Sequence, residues 1–193
     1  MTLKSSSEHL DMSSNTHSRR RFLQLGLGLS STLVIPTAFA RHTKAVDRKL
    51  ALHNLHTGET VQATYWAEGE YQLSELAEIN RILRDHRTGD VIDMDPQLVN
   101  LLHLLHETVD GKKPFDVISG YRSPMTNATL QKKSSGVAKK SFHMLGKAID
   151  VTLPGRDLAK LNSAALALNA GGVGYYPKSD FIHVDTGPVR SWT

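Results

Sequence analysis

Cysteine is absent from the 193 residues, which removes both a disulfide framework and thiol chemistry at one stroke. Also missing is any apolar run long enough to span a membrane. The mildly apolar stretch from Leu25 to Ile35 is diluted by Gly26, Gly28 and several serines, and it falls far short of the ~20 residues a spanning helix needs. The excess of basic over acidic charge is small as well. Of a formal net charge of +4, the first 40 residues carry half, in Lys4, Arg19, Arg20 and Arg21 against Glu8 and Asp11. The remainder is near neutral and has no basic stripe, which argues against nucleic acid as a partner. There is no internal repeat and no low-complexity tract.

What is present begins with an address. Ser18-Arg19-Arg20-Arg21-Phe22-Leu23-Gln24 is a twin-arginine signature. It is followed by the short apolar run, Pro36, and Ala38-Phe39-Ala40 as a small-x-small cleavage site. A leader over residues 1–40 is therefore expected to be removed, leaving a periplasmic domain from Arg41 with no stable membrane insertion. Residues 41–193 suffice for one domain with a sizeable core, expected as a monomer. Twin-arginine export carries folded proteins, which suits a domain that acquires a metal before crossing.

Along that domain the pattern predicts an α+β fold: one antiparallel sheet with helices packed on one side and the candidate site on the sheet. Lys49–His56 and Glu59–Trp66 flank Thr57-Gly58 as a hairpin. Leu73, Leu76, Ile79, Ile82 and Leu83 recur at helical spacing across 71–86. Asp95-Pro96 opens a second helix as cap and first-turn proline. A short strand over 114–119 leads into a polar stretch that reads to Lys140 as a long loop with one helical turn. Ser141 to Leu153 reads as a strand, Asp157 as the cap of a helix to about Asn169, and 171–176 with 181–186 as a closing pair of strands.

The chemistry concentrates in S-F-H-M-L-G-K-A-I-D (141–150) and D-F-I-H-V-D-T-G (180–187). His143, Asp150 and His183 supply two imidazoles and one carboxylate, the donor set of a catalytic zinc site with an open fourth position. Gly146 and Ala148 let another part of the chain approach closely. Asp150 sits between apolar residues, where a carboxylate is costly unless it is paired or coordinated. Alternation places Phe181, His183 and Asp185 on one face of their strand, so Asp185 is a candidate to orient His183 or another ligand. Ser141 is a second candidate for that supporting role. Asp180 precedes the strand and is the first choice as base for a metal-activated water, with Asp185 second. Upstream, Ser119-Gly120-Tyr121-Arg122-Ser123-Pro124 offers Arg122, with Tyr121, to bind substrate or to stabilise an oxyanion.

Ser-Gly-Tyr-Arg-Ser, Ser-x-His-x-x-Gly-x-Ala-x-Asp and the later histidine resemble the zinc peptidases that include D-alanyl-D-alanine carboxypeptidases and dipeptidases. The ending Gly-Val-Gly-Tyr-Tyr-Pro and Phe-Ile-His-Val-Asp-Thr-Gly is more similar still to the exported, MepK-like murein endopeptidase group, and the twin-arginine start agrees. The resemblance covers essentially all of 41–193. It implies one Zn²⁺ per chain on His143, Asp150 and His183, with Arg122 steadying the substrate or transition state, and peptidoglycan cross-links as the substrate. The carboxypeptidase relatives have glutamate where this chain has Asp180, whose side chain is about 1.5 Å shorter.

Other histidines are weaker candidates. His103 and His106 with Glu107 spell H-x-x-H-E, which is not the order of the helical zinc peptidase motifs. His53 and His56 are three positions apart beside a turn and read as surface residues. Lys132-Lys133 and Lys139-Lys140 read as solvated. The leading expectation is hydrolysis of cross-links. The alternatives are a carboxypeptidase trimming stem peptides, and a wall-binding module that keeps the metal without the reaction.

Overall fold

The computed structural model describes residues 46–193 apart from residue 135; the expected leader and its cleavage site lie outside the described residues. The hairpin forms as read, from β1 (Arg48–Asn54) and β2 (Thr60–Ala67). Its turn is held by the Asn54 carboxamide, whose oxygen accepts from the amides of His56 and Thr57. Residues Glu70–Tyr71 add β3 against β2, which shortens the following helix, α1, to Leu73–Ile82. In α2 (Pro96–Thr108) Asp95 caps as expected, accepting from the Gln97 amide at 2.9 Å. The next strand is β4 (Phe115–Ser119).

Two expectations fail beyond this point. The polar stretch after β4 is not a loop with one turn but contains α3 (Pro124–Lys133). Ser123 caps it by accepting from the Thr126 amide, and Pro124 occupies its first turn. It shows no apolar stripe because it buries Thr126 and Asn127. Nor is 141–153 one strand. Phe142–Leu145 is a 3-10 turn closed by Gly146 at φ +66°, and β5 runs only over Ala148–Thr152. An alanine Cβ at Gly146 would stand 2.8 Å from the Asp93 carbonyl oxygen, so glycine serves here both the left-handed turn and the close approach.

The chain ends with α4 (Leu158–Leu168), β6 (Gly172–Tyr176), β7 (Phe181–Asp185) and β8 (Arg190–Trp192). Asp157 caps α4 through the Lys160 amide, and Asn169 ends it in the left-handed conformation. The eight strands form one sheet in the order β3-β2-β1-β4-β5-β7-β6-β8. It is mixed and not antiparallel throughout: β1 runs parallel to β4 and β6 parallel to β8. The first pair is a crossover, since the chain passes through α1 and α2 before returning beside β1, and parallel neighbours need such a connection.

One face of the sheet meets the helices. Leu50, Val117, Ile149, Val151, Ile182 and Val184 share a buried apolar cluster with Ile79, Leu98, Leu102, Leu105 and Leu161 from α1, α2 and α4. α3 contributes nothing to that cluster. The alternate residues of β5 and β7, among them Asp150 and His183, therefore face the other way, and the site is built there.

Candidate active site

Asp150 and His183 are directly paired across the antiparallel β5–β7 ladder, so the sheet itself sets their separation. His143 joins them from the 3-10 turn that precedes β5. Ser141 caps that turn by accepting from the His143 amide at 3.3 Å. All three candidate ligands are buried, at 3, 7 and 9% exposure for His143, Asp150 and His183.

Their donor atoms converge. His143 Nε2 lies 3.2 Å from His183 Nδ1 and 3.3 Å from Asp150 Oδ1, and His183 Nδ1 lies 2.9 Å from the same oxygen. The edge of a tetrahedron with Zn–N and Zn–O arms is about 3.3 Å, so the three atoms are spaced as one face of such a tetrahedron would be. Among the described residues no other group of histidine and acidic side chains is arranged to hold a metal.

The hydrogen bonds behind the ligands fix which nitrogen faces inward. His143 Nδ1 is 2.8 Å from the Gly120 carbonyl; a carbonyl only accepts, so Nδ1 carries the hydrogen and Nε2 presents its lone pair. His183 Nε2 is 2.9 Å from Asp185 Oδ2, leaving Nδ1 toward Asp150. Burial opposes charge on Asp150, yet the two histidines hold its pKa well below the usual range. Burial likewise opposes protonation of His183, but its two carboxylate neighbours raise its pKa. Two imidazole lone pairs and an anionic oxygen in mutual contact need a positive centre between them, and a proton on His183 leaves His143 Nε2 against Asp150 uncompensated. A divalent cation satisfies all three donors at once.

Asp185 is fully buried and accepts from the amides of Gly172 and Gly187 and from Arg190 at 2.7 and 3.0 Å, besides His183. Those donors depress its pKa against the pull of burial. The His183 ring stands between this carboxylate and the three converging atoms, so Asp185 orients the imidazole and is badly placed to be a base. Arg190, a residue the sequence reading passed over, completes this support. Its guanidinium lies over the rings of Phe142 and Trp192 at 5.3 and 5.0 Å.

A cleft of about 680 Å³ opens over the three ligands, walled by Arg122, the 136–140 segment, Tyr176, Ser179, Phe181 and Trp192. Arg122 Nη2 sits 3.7 Å from Asp150 Oδ2 and donates to Ser119 Oγ at 3.3 Å. Its buried Nε has no hydrogen-bond partner. Tyr121 does not line the cleft; it packs against the apolar core while its amide donates to the Leu83 carbonyl at 2.7 Å. Asp180 is exposed at the tip of the β6–β7 hairpin with φ +54°, between Ser179 and Phe181 of the cleft wall.

The other histidines among the described residues find ordinary partners. His53 meets Asp116, His103 the Lys49 carbonyl and His106 the Lys113 carbonyl. His56 meets the Ile118 carbonyl and stacks on His86 at 3.8 Å.

Residues 42–192 match the peptidase M15_2 family, described as peptidoglycan L,D-endopeptidase MepK. The chain belongs to this family. It is 44% identical to peptidoglycan L,D-endopeptidase MepK of Escherichia coli K12 over 175 residues, covering 90% of this chain and 96% of that protein. It is 39% identical over 176 residues to the probable peptidoglycan L,D-endopeptidase MepK of Haemophilus influenzae, covering 90% and 95%. The matched range contains all the candidate site residues described above, from Tyr121 to Trp192.

Proposed function

We propose that the chain is a zinc-dependent endopeptidase that hydrolyses peptide cross-links of peptidoglycan in the periplasm, after twin-arginine export and removal of residues 1–40. The observation that carries this reading is the face of three buried donor atoms at tetrahedral spacing beneath an open cleft, in a chain of the M15_2 family. The expected set of His143, Asp150 and His183 fits the ion by charge, by tautomer and by spacing. Two imidazoles and a carboxylate with a vacant fourth direction are the donor set of hydrolytic zinc sites. When bound there, zinc supplies a Lewis acid that polarises the scissile carbonyl and lowers the pKa of water toward ~7.

The chain supplies the rest. Asp185 and the Gly120 carbonyl hold the two imidazoles in the right tautomer. Arg122 directs positive charge at the carbonyl oxygen as negative charge gathers on it, a contribution made more fully in the transition state than in the ground state. Asp180, between the cleft-lining residues Ser179 and Phe181 though not itself among them, accepts a proton from the attacking water and returns it to the departing amine. The amide C–N bond breaks, one fragment leaving as a carboxylate and the other as an amine.

The test is digestion of purified cross-linked muropeptides, L,D- and D,D-linked in parallel, with products read by mass and with chelator and Zn²⁺ arms. Conversion of L,D-linked dimers to monomers, lost with chelator and restored by Zn²⁺, is expected. Loss of a terminal residue only would replace this reading by a carboxypeptidase. Stoichiometric zinc without cleavage would replace it by a wall-binding module.

A further inference from the structure

Strand β6 places a tyrosine where the reaction needs a donor. In the β6–β7 ladder Gly174 lies opposite His183, and Tyr176 opposite Phe181. Tyr176 is thus on the same sheet face as His183 and diagonal to it, a separation of about 7 Å that a tyrosine side chain bridges. It lines the cleft with Arg122 and Asp150. Phe181 stacks on its ring, centroids 4.6 Å apart at 21°, which fixes the ring plane.

The last strand fixes the hydroxyl. β8 runs beside β6 with Trp192 level with Gly174, and the indole occupies the space a side chain at 174 would take. Trp192 Nε1 donates to Tyr176 Oη at 2.7 Å. Indole N–H is a donor and never an acceptor, so this bond consumes a lone pair of the hydroxyl and leaves its hydrogen free. Among the described residues that hydrogen has no acceptor. A hydroxyl whose oxygen is tethered and whose hydrogen is unused, in the same cleft lining as His143, Asp150 and His183, is arranged to donate to something that enters the cleft.

We propose that Tyr176 is a further catalytic residue: its hydroxyl hydrogen-bonds the scissile carbonyl oxygen, and Trp192 is the positioning residue that orients it. This rests on the endopeptidase reading above. Tyr176 keeps its proton throughout; as water adds to the carbonyl carbon and charge collects on the oxygen, the O–H···O bond shortens and strengthens, and no bond to hydrogen is transferred. The C-terminal strand therefore serves both ends of the site, Arg190 through Asp185 and Trp192 through Tyr176.

The experiment compares the full chain with Tyr176→Phe, Trp192→Phe and the double variant on cross-linked muropeptides, with zinc content and thermal midpoint measured on each. Tyr176→Phe is expected to lower kcat by about 10²-fold with KM little changed and zinc content unaltered, the cost of one lost oxyanion donor. Trp192→Phe is expected to lower kcat by roughly 10-fold, and the double variant to match Tyr176→Phe, because Trp192 acts through Tyr176. Wild-type kcat in Tyr176→Phe, or losses that multiply in the double variant, would overturn the assignment while leaving the endopeptidase reading in place. Should Tyr176→Phe not fold, Trp192→Phe decides alone: reduced kcat at constant KM supports the assignment, and wild-type kcat overturns it. An inactive, zinc-loaded wild-type chain overturns both readings together.

Discussion

Asp185 Oδ2 lies 2.9 Å from Nε2 of His183, and the same carboxylate is gripped by Arg190 at 2.7 Å. The carboxylate sets the tautomer of the ring and adds to the basicity of the nitrogen that faces the other ligands. Removing such a partner costs about 10–100-fold in metal affinity. Asp185→Asn is therefore expected to weaken zinc binding by that factor, read by competition with a chromogenic chelator. Unchanged affinity would mean that the backbone of β7 alone orients His183.

The ligand junction itself predicts a coupling of metal to fold. With two lone pairs and an anionic oxygen held together by β5, β7 and the 3-10 turn before β5, removal of a bound ion would leave repulsion that the protein relieves only by protonation or movement. Chelation should abolish activity and lower the thermal midpoint, with Zn²⁺ restoring both. Ala at His143, Asp150 or His183 should abolish stoichiometric binding. Full activity in a zinc-replete His183→Ala protein would remove His183 from the ligand set.

A pH dependence follows from Asp85, a fully buried carboxylate outside the site. It accepts from the amides of Ser123 and Arg87, each at 2.9 Å, and so ties the segment carrying Arg122 to the turn after α1. Burial raises its pKa, but the Thr126 hydroxyl and the two amides outweigh this and depress it below the ordinary 3.8. A depressed carboxylate contributes stability that is present above 3.8 and lost as pH falls through the folded-state value. Asp85→Asn, which sets an NH₂ against a backbone N–H, is expected to cost about 2 kcal/mol near neutrality. Denaturant melts should show this gap constant down to about pH 5 and shrinking below it; a constant gap at pH 3 would rule out the charge as its source.

The candidate ligands stand out in the sequence because their chemistry is carried by residue type. A carboxylate between Ile149 and Val151 has few explanations, and His183 stands out in the same way. Caps were equally plain at Asp95 and Asp157, whose side chains meet the amides that helix starts leave free. Amphipathic periodicity marks α1 and α2, and the Asp157 cap marks α4, but α3 buries Thr126 and Asn127, so its only signals are Ser123 and Pro124. Nothing in Phe142, Met144 and Leu145 announces the 3-10 turn that carries His143; Gly146, at φ +66°, is the residue that lets the chain turn. The parallel β1–β4 pairing lies in strand order, which local patterns do not encode. Trp192 and Arg190 sit on a three-residue edge strand, and their role depends on partners 16 and 5 positions away.

Asp180 gives a prediction that separates charge from backbone. Its φ of +54° is a conformation that asparagine tolerates as well as aspartate, so Asp180→Asn preserves the hairpin tip while removing the base. A 10²-fold or larger fall in kcat is expected, with zinc content unaltered. Wild-type kcat in this variant would assign Asp180 to the turn alone and move the base elsewhere.

The packing of β8 on β6 can be tested at a single methyl. A Cβ on Gly174 would stand 2.6–2.7 Å from three atoms of the Trp192 indole, closer than any real contact, and the opposing strand carries His183. Something must yield, and β8, an edge strand of three residues, is the weaker side. Gly174→Ala should therefore displace Trp192 and release the Tyr176 hydroxyl, at a cost of roughly 1–3 kcal/mol typical of overpacking. Trp192 emission, isolated in a Trp66→Phe background, should shift toward that of a solvated indole, and kcat should fall toward the Trp192→Phe value with zinc retained. If the indole stays buried and zinc is lost instead, the strain has passed to His183, and the sheet gives way before its edge does.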